Sequence, residues 1–118
     1  MEKILVAAAH ELLLKKGAIM IDVRSQEEFM AAHIENAIHM PLETVSLAEI
    51  IKFMQEQEVK TVIFQCFRGT RSGIAIKRLQ EENPDINFRM YNLEGGIKAW
   101  IAAGFPIVED LVDEEEPA

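Results

Sequence analysis

The one cysteine of this chain, Cys66, ends an apolar run, TVIFQ, and opens the stretch C-F-R-G-T-R, so that Phe67, Arg68, Gly69, Thr70 and Arg71 follow it directly. A free cysteine by itself is most often a small buried hydrophobe. Here its position argues otherwise, because it stands at the mouth of a glycine-and-arginine loop and not inside the apolar run. After the loop, Ser72, Ile74, Ala75, Ile76 and Leu79 recur at helical spacing, which predicts a strand, a tight loop and a helix in that order. Such a loop turns successive backbone N–H groups inward at a helix N-terminus, where unpaired donors favour an anion. Gly69 lets the chain turn without a Cβ. A thiol over that cradle, with Arg68 and Arg71 near it, is expected to ionise below its ordinary range and serve as a nucleophile.

The elements that must position this loop can be read on both sides of it. Residues 61–65 have the length and β-branched content of a buried parallel strand. Residues 18–23 form a second such run, ending at Asp22 much as the first ends at Cys66. Ligands of open α/β sheets bind beyond the carboxyl ends of the strands, so Asp22, Arg24 and Cys66 are expected at one edge of the sheet. Arg24 and Glu28 are suited to an ion pair bracing the strand-to-helix turn. For Asp22 the expected role is a hydrogen-bonding prop for loop amides, with a substrate-facing role as the alternative. Ser25 followed by Glu28 is a capping-box pattern for a helix over residues 25–32.

Helices are further predicted over residues 5–16, with Gly17 as cap, over 47–57, with Ser46 as cap, and over 71–82, stopped by Asn83-Pro84. Short strands are predicted over residues 36–40, 86–91 and 105–108, the second of these less deeply buried than the other long strands. Strands alternating with helices of about ten residues give an α/β domain with a parallel sheet between helices.

Four blocks now resemble one family. C-x-x-G-x-R-S after an apolar strand is similar to the active-site loop of rhodanese-like sulfurtransferases. Ile21-Asp22-Val23-Arg24 with Glu28-Phe29 resembles that family's D-V-R-x-x-x-E-[FY] block. His33-Ile34 with Ala37-Ile38 resembles its G-H-I-x-G-A-I segment, with Ala32 and Asn36 standing where the family usually has glycine. The LEGGIKAW stretch over residues 93–100 matches its L-x-G-G-x-x-x-W motif. The resemblance implies a three-layer α/β/α sandwich around a mostly parallel sheet of about five strands. It implies a cycle in which Cys66 takes a sulfane sulfur from a small anionic donor such as thiosulfate or a polysulfide. The resulting persulfide would pass it to a thiol, cyanide or protein-thiol acceptor. Arg71 is expected either to cradle the persulfide or to anchor the loop. Trp100 is expected in the core, and His33 as a hydrogen-bonded structural residue.

Loop length separates this chemistry from a neighbouring one. Phosphatases with a cysteine over an anion cradle, some on this fold, resemble C-x5-R, because a phosphoryl group needs a wider ring of amides. This chain has C-x4-R, which favours sulfur transfer over a phosphatase or arsenate reductase. Many family members also place Arg directly after the cysteine, where this chain has Phe67. A partly apolar rim predicts weak binding of thiosulfate and preference for a persulfide, polysulfide or protein donor. A carrier that relays the same persulfide to a partner protein needs the same loop.

Composition bounds the rest. The chain has 118 residues, 49% of them hydrophobic, enough for one core and too few for two such modules. A single cysteine leaves no intramolecular disulfide or multi-cysteine metal cage, and His10, His33 and His39 lack zinc-site spacing. No metal or cofactor is expected. The net charge of −8 is concentrated at the C-terminus, leaving 14 acids against 12 bases in residues 1–108. Residues 109–118 are expected to be an acidic, disordered tail beyond a domain spanning 1–108. No basic stripe suits a nucleic acid, and no segment suits a membrane or a signal peptide. The expected location is therefore cytoplasmic, where a free thiol stays reduced.

Overall fold

The computed structural model describes residues 2–109. Its centre is a sheet of five parallel strands. Strand β1 is Lys3–Ile4, β2 is Ile19–Asp22, β4 is Ile38–His39, β5 is Thr61–Gln65 and β6 is Arg89–Leu93. They lie in the order β1-β6-β5-β2-β4. A separate antiparallel pair joins β3, Ala32–Ile34, to β7, Ile107–Glu109. The helices are α1, Val6–Leu14; α2, Gln26–Ala31; α3, Leu47–Gln57; α4, Thr70–Glu82; and α5, Gly96–Ala102, with a short 3₁₀ turn at Leu42–Thr44.

Alternation along the central strands builds two cores. On β2, Ile19 and Ile21 face one side of the sheet and Met20 the other; on β5, Val62 and Phe64 oppose Ile63 in the same way. The first side packs against Ile50 and Met54 of α3 and Ala75, Ile76 and Leu79 of α4. The second packs against Ala9 of α1 and Ile97 and Trp100 of α5. Cys66, one residue beyond β5 and in phase with Val62 and Phe64, therefore falls on the α3/α4 side. Trp100 is buried and donates from Nε1 to the Pro106 carbonyl at 2.9 Å, as core placement of an indole requires.

The three-layer α/β/α architecture is as expected, and several local boundaries are not. At the end of α1 the left-handed residue is Lys16, with φ 57°, and not Gly17. The Gly17 and Lys16 N–H groups return to the Leu12 and Leu13 carbonyls at 2.9 and 3.0 Å, a doubled C-terminal closure. Strand β6 starts three residues later than the periodicity suggests, because its register is set by pairing Arg89 with Thr61 and Leu93 with Ile4. It is less buried than β2 and β5 at Arg89 and Tyr91, as expected of it. Asn36 takes φ 68° where the family has glycine, a conformation Asn tolerates. Glu109 belongs to β7, one residue past the expected domain boundary; the rest of the expected tail, 110–118, lies outside the described residues. Among the described residues no helix is long and apolar enough to cross a membrane.

Candidate functional site

β5 leaves the sheet at Cys66, and the next three residues wrap around its sulfur before α4 begins at Thr70. Gly69 makes this possible at φ 115°, a conformation closed to side chains bearing a Cβ. The Gly69 N–H points at Sγ from 3.1 Å, the Ser72 N–H from 3.4 Å and the Ser72 hydroxyl from 3.4 Å. Burial pushes the Cys66 thiol up. The Ser72 hydroxyl and the Ser72, Gly69 and Arg68 N–H groups outweigh it, so the thiol ionises below its ordinary range. Ser72→Ala removes the side-chain donor and keeps the amide. The expected result is a rise in the pH midpoint of Cys66 alkylation by iodoacetamide. An unchanged midpoint would leave the amides alone responsible.

The ring of donors is pinned from outside by groups on β6 and α5. Asn92, on β6, donates from Nδ2 to the Gly69 carbonyl at 2.9 Å and accepts the Ser72 hydroxyl at 2.5 Å. At the other end, the Ile97 and Lys98 N–H groups donate to the Cys66 and Phe67 carbonyls at 2.9 and 3.1 Å. With these carbonyls turned away to α5, the loop's N–H groups face the sulfur. Gly96, at φ 62°, permits that approach, since a Cβ there would lie well inside contact distance of both carbonyl oxygens. Gln65 is buried and adds a bond from Nε2 to the Cys66 carbonyl at 2.9 Å.

The ion pairs beneath the loop differ from the expected ones. Arg24 does not brace Glu28. Its guanidinium clasps Asp22 at 2.8–3.2 Å, its own N–H bonds Asp22 Oδ1 at 2.9 Å, and Nη2 reaches the Ala32 carbonyl at 2.6 Å. Asp22, fully buried, is thus occupied by Arg24 and not by loop amides. The Arg24 carbonyl in turn lies 2.9 Å from His39 Nε2. His33 is hydrogen-bonded through Nδ1 to the Phe29 carbonyl at 2.9 Å, a structural role as expected.

Glu28 completes the capping box with Ser25 and holds Arg71 in a two-pronged pair at 2.7 and 3.0 Å. Of the two roles open to Arg71, this geometry matches the anchor, tying the first turn of α4 to α2. The Arg71 hydrogen bonds hold the Glu28 carboxyl down at about 2, against partial burial that raises it. A carboxyl depressed on folding contributes stability above its unfolded pKa and loses it as the pH falls through the folded value. The pair is about one-third exposed, so its contribution is about 1 kcal/mol. Urea midpoints of the wild type and Glu28→Gln should therefore differ at pH 7 and converge between pH 4.5 and 2; parallel curves would contradict the assignment.

Of the residues singled out in the sequence, the structure brings Arg68, Gly69 and Ser72 onto the sulfur through their amides. Phe67, 40% exposed, and Arg68, with its guanidinium carbon 5.4 Å from the Phe67 ring centre, form the rim. Thr70 is exposed at the start of α4. Glu28 and Arg71 tie α2 to the first turn of α4 beside the loop, whereas Asp22 and Arg24 are engaged with each other and with the Ala32 carbonyl. Sequence reasoning missed Asn92 and Gln65; the available signal was a polar residue at the C-terminal end of each of two apolar strands. Among the described residues no group of three or more His, Cys, Asp or Glu could hold a metal.

A strand–loop–helix that buries a thiol of lowered pKa among backbone donors at the carboxyl edge of a parallel sheet is an arrangement in which a cysteine can act as a nucleophile. The rhodanese-like domain model matches residues 5–103, and the chain belongs to the rhodanese-like domain family. A rhodanese-related protein from Thermoplasma volcanium is 29% identical, with 92% of this chain and 98% of that one covered and a TM-score of 0.70. A thiosulfate sulfurtransferase from Pseudomonas aeruginosa superposes with a TM-score of 0.71 at 19% identity, over 92% of this chain and 19% of that one. An As–Sb reductase from Leishmania major gives a TM-score of 0.71 at 22% identity, over 86% and 77%. The last two share the fold.

Proposed function

We propose that this domain is a sulfurtransferase in which Cys66 takes a sulfane sulfur from a donor, holds it as a persulfide and yields it to a thiol or cyanide. The observation that carries the reading is the four-residue loop between Cys66 and Arg71, with the N–H groups of Gly69 within it and of Ser72 just after it 3.1 and 3.4 Å from one sulfur atom. The thiolate attacks the outer sulfur of the donor, the donor's S–S bond breaks, and its electron pair leaves with the remaining fragment, sulfite in the case of thiosulfate. The anionic persulfide then lies where the loop amides can stabilise it.

The cation inventory supports a donor other than thiosulfate. Arg24 is taken up by Asp22 and Arg71 by Glu28. Phe67 stands at the rim where a second guanidinium would help bind a small dianion. A polysulfide, low-molecular-weight persulfide or protein persulfide fits this half-apolar rim better. The same persulfide also suits a carrier that hands its sulfur to a partner protein in a reducing compartment such as the cytoplasm. A phosphatase or As–Sb-type reductase is disfavoured by the short loop.

The test is the intact mass of the reduced protein after thiosulfate or polysulfide, with Cys66→Ser alongside and cyanide added afterwards. Gain of one sulfur atom on the native protein only, discharged as thiocyanate, is the expected outcome. Gain from polysulfide but not thiosulfate identifies the donor class. No gain from either overturns the reading.

A further inference from the structure

Between the cysteine loop and the turn joining β6 to α5 lies a pocket of about 250 Å3 whose polar side chains include Lys3, Arg68, Thr70 and Glu94, with Gly69 forming its wall toward the sulfur. That volume holds about eight water molecules. One residue, Gly69, separates the pocket from the reacting atom: its N–H lies 3.1 Å from Sγ and its carbonyl bonds Asn92 on the pocket side. Its charges are unusual beside an anion cradle, because a carboxylate sits among the cations. Arg68 makes no ion pair among the described residues. Lys3 and Glu94 meet only loosely, at 3.8 Å, with side chains 62% and 48% exposed, so each can exchange the other for a ligand group at little desolvation cost.

We propose that this pocket is the acceptor subsite and takes a small thiol bearing an α-amino acid group, its carboxylate at Arg68 and Lys3 and its ammonium at Glu94. This rests on the sulfurtransferase reading above. A bare dianion would face the Glu94 carboxylate, and an uncharged thiol would leave all three charges without new partners. A zwitterion matches both signs. Held there, the acceptor thiolate forms a bond to the outer sulfur of the Cys66 persulfide. The Sγ–S bond breaks and its electron pair returns to Sγ. The acceptor leaves as a persulfide, its thiol proton having passed to the product or to water. No oxidant or reductant enters.

The experiment follows the discharge of protein already loaded with sulfur from polysulfide and freed of donor, by intact mass against time. The acceptors are L-cysteine, cysteamine, 3-mercaptopropionate and 2-mercaptoethanol, with each rate expressed per concentration of thiolate. L-Cysteine should exceed the other three by about three- to tenfold, as two or three exposed charge contacts allow. Glu94→Gln should reduce that advantage to the level of 3-mercaptopropionate, and Lys3→Gln should lower the carboxylate-bearing thiols relative to cysteamine. Equal rates for all four thiols, an advantage for L-cysteine that survives Glu94→Gln, or discharge by a protein thiol alone would overturn the subsite while leaving sulfur loading intact. Failure to load at all would overturn the function and the subsite with it.

Discussion

Gly96→Ala is expected to cut the rate of sulfur loading on Cys66 by at least tenfold and to destabilise the domain by about 3 kcal/mol. The added methyl group would run into the Cys66 and Phe67 carbonyl oxygens, so the loop must withdraw from α5 and lose the bonds from the Ile97 and Lys98 amides. Overpacking of this kind costs about 1–3 kcal/mol, and the left-handed φ adds about 1 kcal/mol for a residue with a Cβ. Once withdrawn, the Cys66–Phe67 segment no longer holds the Arg68 and Gly69 N–H groups toward Sγ, and the thiol should titrate at higher pH. Gly104 supplies the control. It has φ 80°, but a Cβ there would meet nothing within 4 Å, so Gly104→Ala should pay the backbone term alone and load normally. Equal behaviour of the two variants in stability and loading would show that docking on α5 is not what shapes the loop.

Asp22→Ala should be the most destabilising single change beneath the site, at about 3–5 kcal/mol, because it leaves the buried Arg24 guanidinium without its counter-charge. For a domain of this size that corresponds to a fall in Tm of more than about 10 °C. The pair as a whole is another matter. Joint replacement, Asp22→Leu with Arg24→Met, removes both charges and should recover most of the loss. A thermal melt of the single and double variants separates the cases: a single variant melting within about 3 °C of the wild type would show that the clasp carries little. The double variant also tests whether the Arg24 bond to the Ala32 carbonyl matters for the junction of α2 and β3.

The parts of the fold that were legible in the sequence are those whose periodicity runs for a full element. β5 and β2 could be read because continuous apolar runs of strand length have few other uses, and α2 because Ser25 and Glu28 satisfy each other's orphan donors locally. The cysteine ring was legible for the same reason, as Cys66, Gly69 and Ser72 all lie within one turn of chain. β1 and β3, two and three residues long, are too short to carry any period; only Ala32 of β3 fell within a predicted helix, and His33 and Ile34 within no predicted element. The ion pairs were misassigned because spacing alone allows Arg24 to reach either Asp22 or Glu28. Only the angle of α2 against α4, a tertiary property, turns Glu28 to Arg71 across 43 residues of chain. Asn92 was missed because its partners, Gly69 and Ser72, are 23 and 20 residues away.

The strand order has a consequence for synthesis. All five strands of the main sheet run parallel, so none is joined to a neighbour by a tight turn, and β1 waits for β6, with Lys3 opposite Asn92. A ribosome making about 5–20 residues per second releases Cys66 several seconds at most before the chain reaches Asn92 and Ile97. In that interval the loop has neither its β6 clamp nor its α5 dock. The nascent chain therefore carries an ordinary, slow-reacting thiol, and the reactive one exists only after the domain has closed, when the sulfur is already buried.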